Sequence, residues 1–131
     1  VVLYSFDLVL PANTAKSLPV TLNCPVSPGV LSRVVVVFPA GHSKLTHLKI
    51  FHWSHQLYPS NEDGDLAGDS EVLDWPEDME LRDRPFVFRV VGWNEDDTYA
   101  HTIVIRFNVI RMRAIRGMPR WLQRLLSQWS G

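Results

Sequence analysis

Three segments repeat large apolar residues with a period of two, and a chain with that pattern must bury one face of several extended strands. In residues 3–10, Tyr4, Phe6, Leu8 and Leu10 share one face while Ser5 and Asp7 share the other. Residues 86–93 place Phe86, Phe88 and Val90 together and turn Arg89 away. Residues 102–110 align Ile103, Ile105, Phe107 and Val109 against Thr102, Arg106 and Asn108. A period of two suits antiparallel strands with one solvated side. Residues 19–24 and 45–53 alternate less cleanly, and a strand near 70–75 is weakly marked. The run 34–38 is continuously apolar and rich in valine, as a central strand covered on both sides requires.

Turn-forming residues separate these segments. Pro11-Ala12-Asn13-Thr14, Ser27-Pro28-Gly29, Pro39-Ala40-Gly41 and Asn94-Glu95-Asp96-Asp97 each favour a reversal for a backbone reason. The spacing predicts about seven or eight short strands in an all-β, antiparallel β-sandwich or jelly-roll-like single domain. That domain is expected over residues 1–110, with 111–131 as a basic amphipathic C-terminal helix. The strands at 86–93 and 102–110 are expected to be adjacent, joined as a hairpin through 94–101, with Phe86, Phe88 and Val90 against Ile103, Ile105 and Phe107. Residues 54–83 read as the longest irregular region, acidic at its centre, and as a natural binding surface.

The pattern changes after Ile110. Met118, Trp121, Leu122, Leu125 and Trp129 recur at helical spacing, with Arg120 and Arg124 on the opposite face. Pro119 suits a first helical turn. About a dozen residues make a marginal helix in water, so the apolar stripe needs a cover. Three covers are open: the chain's own sandwich, a neighbouring subunit, or an anionic membrane. Protein is the expected one, with a neighbouring subunit ahead of the chain's own sandwich. The seven residues named here are therefore the expected partner-binding set.

Candidate chemistry is thin. A formal net charge of −1 provides no general attraction to nucleic acid or anionic lipid, so neither is an expected partner. The one cysteine, Cys24, allows no disulfide within the chain and reads as a small buried residue. The chain begins with Val1 and shows no basic region followed by an apolar one, so no signal peptide is expected, and the absence of Met at this position points to processing or trimming. In the acidic loop, Asp63, Asp65 and Asp69 around Gly68 approach a calcium-loop spacing. However, Ala67 falls where another oxygen is needed, and Asp74 rather than Glu would close the loop. His47 and His52 point to opposite faces of one strand, so with His55, His42 and His101 they read as surface or rim residues rather than zinc ligands. Glu77/Asp78 and Asp96/Asp97 read as turn carboxylates with ordinary titration. No G-x-S-x-G, P-loop or dinucleotide motif occurs. A non-enzymatic protein without metal or cofactor is expected. The five tryptophans read first as core or intersubunit packing residues, and they leave one ligand-binding alternative, a glycan or receptor stacked on Trp53 or on Trp93, which is expected on the outward face of its strand.

The arm Leu10-Pro11-Ala12-Asn13-Thr14-Ala15-Lys16-Ser17-Leu18-Pro19, the turn Phe38-Pro39-Ala40-Gly41 and the stretch from Trp93 through Asn94-Glu95-Asp96-Asp97-Thr98-Tyr99-Ala100 to His101 resemble parts of the head decoration, or auxiliary capsid, proteins of tailed phages. The resemblance covers residues 3–110. It implies a virion protein on the capsid surface, without catalytic residues. It further implies a homo-oligomer, often a trimer, whose strands and arms clasp one another and a capsid protein. The basic C-terminal helix has no counterpart in that resemblance.

Overall fold

The alternating segments form two antiparallel sheets in the computed structural model, which describes residues 1–111 together with Arg120, Trp121, Arg124 and Leu125. The strands are β1 (Val2–Leu10), β2 (Val20–Pro25), β3 (Gly29–Phe38), β4 (Thr46–His52), β5 (His55–Tyr58), β6 (Leu66–Ala67), β7 (Glu71–Leu81), β8 (Val87–Asn94) and β9 (His101–Arg111). One sheet has the order β1-β9-β3-β7. The other runs β2-β8-β4-β5, with β6 pairing to β4. The chain is all-β and sandwich-like, because the inward residues of both sheets meet in one core. Leu8, Val34, Val36, Ile105 and Phe107 come from the first sheet, and Cys24, Leu48, Ile50, Phe88 and Val90 from the second.

The expected hairpin between residues 86–93 and 102–110 does not form. β8 and β9 lie in different sheets, and residues 95–100 carry the chain across between them. The predicted faces nevertheless meet, since Phe88 stacks on Phe107 with centroids 4.6 Å apart and rings 12° from parallel. Alternation reports which face is buried and not which strand is the neighbour, so face-to-face packing carries the same local signature as edge pairing.

Residues 54–83 are also far more regular than expected. They hold β5, β6 and the eleven-residue edge strand β7. In β7, Leu73, Trp75 and Met79 pack inward while Val72, Asp74, Asp78 and Glu80 are exposed. Pro76 and the acids hide this alternation in the sequence. Proline is tolerated here because an edge strand leaves one side of its ladder unpaired. Glu77 therefore sits in a strand, not in a polar turn, and accepts a 2.6 Å hydrogen bond from the Tyr58 hydroxyl. β3 is central, as its valines imply, but only one of its faces is closed: Val34, Val36 and Phe38 are buried, while Val35 and Val37 are half-exposed.

Candidate functional site

Trp93 does not present an outward platform. It is 4% exposed, with His47 of the paired strand stacked on it at 5.2 Å and 10°, and the Lys16 ammonium 5.3 Å from its ring. His47 in turn bonds the Asp65 carboxylate through Nδ1 at 2.9 Å, and its Nε2 lies 3.4 Å from Glu95. The cover comes from the arm at residues 11–18, which alternation alone cannot place. Thr14 bridges to Asn94, and the Asn13 N–H donates to the Asp96 carbonyl at 2.8 Å. The buried Asn94 amide donates to the carbonyls of Leu10, Pro11 and Tyr99. This arm is pinned to its own domain.

A second cluster closes the same end of the sandwich. His42 is buried rather than at the rim, bonded through Nδ1 to the Thr46 hydroxyl at 2.6 Å and packed 4.4 Å from the His101 ring. His101 Nε2 bonds Asp96 Oδ2 at 2.8 Å, and Asp96 Oδ1 accepts the backbone N–H groups of Thr98 and Tyr99. Burial, followed by the neighbouring His101, holds the His42 pKa below the usual imidazole range. Asp96 departs from ordinary titration too. The His101 hydrogen bond, followed by the Thr98 N–H, holds its carboxyl below the usual carboxylate range. The sequence signal for this cluster was Asn94 and Asp96 two residues apart, a spacing that builds successive side-chain turns; indeed Asn94 Oδ1 accepts the Asp96 N–H.

The acids of the supposed calcium loop go to separate partners. Asp65 bonds His47, Asp69 accepts the Gly41 N–H at 3.0 Å, and Asp74 pairs with Arg33 at 2.7 Å. Among the described residues no group of three or more His, Cys, Asp or Glu is placed to hold a metal ion. His47 and His52 fall on opposite sides of β4: His47 stacks on the outer Trp93, and His52 leans on the core Phe88 at 5.6 Å. Cys24 is fully buried, and burial pushes its thiol pKa up to about 12, which leaves it inert at neutral pH.

Two surfaces remain. Trp53 is 60% exposed at the tip of the β4–β5 hairpin, in a left-handed backbone conformation (φ 59°) that bulky residues rarely adopt. A cleft lies on each side of it. One is lined by His52, Glu80, Arg82 and Asp83, the other by Pro85, Val87 and Arg89. The second surface is the outward side of the β1-β9-β3-β7 sheet. There Val104, Val37 and Val72 stand in direct register across three strands, with Leu3 and Val9 exposed on β1. At one end of this sheet, Arg120 and Arg124 line a cavity with Val30, Asp78 and Glu80. Trp121 and Leu125 are 67% and 40% exposed. Met118, Leu122 and Trp129 lie outside the described residues. No family model and no curated protein matches the sequence.

Proposed function

We propose that the protein is a non-enzymatic structural subunit that decorates or cements a virus capsid, wound as a jelly roll and completed by an amphipathic C-terminal helix. The strand order supports the jelly roll. Apart from the run β4–β6, which stays within one sheet, successive strands feed opposite sheets, so β1, β3, β7 and β9 face β2, β4, β5 and β8. Capsid and lectin domains share that architecture, although a fold by itself assigns no function. The observation that carries the assembly reading is the apolar row Val104, Val37 and Val72 on a solvent-facing sheet, flanked by the Arg33–Asp74 pair. An apolar centre with a charged border is the anatomy of a protein interface. In this reading the helix adds Trp121 and Leu125, with Met118, Leu122 and Trp129, to the same contact region. Arg120 and Arg124 line one cavity with Asp78 and Glu80 of the sheet. An antibody against the full chain, followed through a density gradient of virus particles from the source, is expected to track with intact particles. Recovery only among free proteins would discard the particle assignment.

A carbohydrate-binding reading is favoured by one observation, the exposed and conformationally strained Trp53 between two clefts. An indole face stacks on the C–H side of a sugar ring, and the Glu80, Arg82 and Asp83 side chains supply hydroxyl partners. Glycan-array binding that disappears in Trp53→Ala would promote this reading over the first. Trp93, buried beneath Lys16, has no part in it.

A further inference from the structure

Edge strands expose a row of unpaired backbone groups, and folded proteins blunt them with proline, lysine, charge, bulges or shortness. Three of the four edges here are blunted. β7 carries Pro76 together with Glu71, Asp74, Glu77, Asp78 and Glu80. β2 has six residues and ends in Pro25, and β5 has four. The side of the sandwich where β5 and β7 lie is also latched, by the Tyr58–Glu77 hydrogen bond and by Tyr58 packed edge-on against Trp75 at 4.9 Å.

β1 has no such device beyond the single outward carboxylate of Asp7. Its nine residues pair with β9 in unbroken register from Val2↔Val109 to Leu10↔His101, without proline, glycine, lysine or bulge. No strand among the described residues pairs with its other edge. Its outward side chains are Leu3, Ser5, Asp7 and Val9, with Leu3 59% and Val9 56% exposed. Tyr4 and Phe6, which point to the core, are only half-buried because the sandwich is open along this side.

That outward series is self-complementary. We infer that β1 is a self-pairing edge, at which two copies of the chain join antiparallel about a two-fold axis at Phe6 and their four-stranded sheets merge into one of eight. In this register Leu3 lies opposite Val9 of the second copy, and Ser5 lies opposite Asp7, to which its hydroxyl donates. On the core side Phe6 meets Phe6 and Tyr4 meets Leu8, so a central aromatic pair is added. Other registers are worse. An axis at Asp7 sets two carboxylates opposite each other, and an axis at Ser5 sets Leu3 against Asp7. A one-residue slip pairs outward with inward side chains, which the pleat forbids. Such a two-fold contact closes on itself and satisfies the open edge of both copies.

The inference specifies the self-association that the assembly reading calls for, and rests on that reading to this extent. A chain that pairs through β1 but never meets a particle would leave the inference standing and remove only the capsid assignment. The test is sedimentation equilibrium of the full chain, its Leu3→Lys variant and the double variant Leu3→Lys/Val9→Glu. Wild type is expected at twice the 15.0 kDa chain mass. Leu3→Lys is expected to weaken the dimer about tenfold or more by setting an ammonium against valine. The double variant is expected to restore it, since each introduced ammonium then faces an introduced carboxylate of the other copy. Val9→Lys, at the other end of the same pair, should repeat the loss, and melting curves should show all variants folded because both positions are exposed. A wild-type monomer at about 0.1 mM, a trimer, a dimer indifferent to both lysine variants, or a double variant no tighter than Leu3→Lys would each overturn the inference.

Discussion

At the scale of single residues, Phe88 is the centre of the core. It stacks on Phe107 across the two sheets and has no exposed surface. Phe88→Ala is expected to lower stability by about 3–5 kcal/mol, measured by chemical denaturation, because the removed ring leaves a cavity between two sheets that cannot close on it. Gly92 is fixed by a close approach: a Cβ there would stand 2.7 Å from Leu8 Cδ2, in a strand that otherwise points large side chains inward. His42 gives the domain an acid sensitivity whose sign follows from its surroundings. Burial and His101 lower its pKa from 6.5, so below that pH the unfolded chain accepts a proton that the folded chain resists. Stability contributed by the neutral ring is complete above 6.5 and is lost as pH falls toward the lowered value. Asp96 adds a second loss in stronger acid, because its carboxyl is held below 3.8 and its contribution disappears as pH drops through that lowered value. Melting temperatures between pH 8 and about 3 should therefore fall in two stages, and His42→Gln should flatten the upper one. A curve level from 6.5 to about 5 in the native protein would contradict this account of His42.

Among the elements, the arm at residues 11–18 and the crossover at 95–100 hold each other, and Asn94 is their common tie. Its amide reaches three carbonyls while its Oδ1 takes the Asp96 N–H. Asn94→Ala leaves buried carbonyls without donors and is expected to cost about 1–3 kcal/mol. The arm should then become the first site of limited proteolysis, whereas the native arm resists. Equal digestion rates would show that Lys16 packing over Trp93 holds the arm without Asn94. The decoration-protein resemblance implies an arm that clasps a neighbour. Here residues 11–18 clasp their own domain, and the contact with a neighbour is the one inferred for the edge of β1.

For the whole molecule, the question is what covers the outward side of the β1-β9-β3-β7 sheet. Deleting residues 118–131 is expected to leave the β domain folded, because among the described residues the core is assembled from the inward faces of both sheets. The deletion should weaken association, as read by light scattering against concentration, since it removes Trp121 and Leu125 together with Arg120 and Arg124, which line one cavity with Asp78 and Glu80. Loss of the β-sheet circular dichroism signal in the deleted chain would instead make the segment part of the fold. Strong binding of anionic vesicles by the full chain alone would assign the stripe to membrane.

The period-two pattern by itself determined that the chain is all-β and which side of β1, β8 and β9 is buried. Side-chain direction along a strand is a local property, written in adjacent residues. It also separated His47 from His52, whereas the burial of Cys24 was legible from its residue type at a strand end. Which strands pair, and which merely face one another, was decided only by the tertiary structure. β8 could meet β9 by edge or by face with the same alternation, and the sandwich chose the face. Trp93 shows the same division: its position on the outer side of β8 was legible, but its burial depends on an arm from far earlier in the chain folding over it. β7 was only weakly marked near 70–75, and its continuation to Leu81 was hidden, because Pro76 and its acids are edge-strand features, and an edge is defined by the absence of a neighbour, which no run of adjacent residues records.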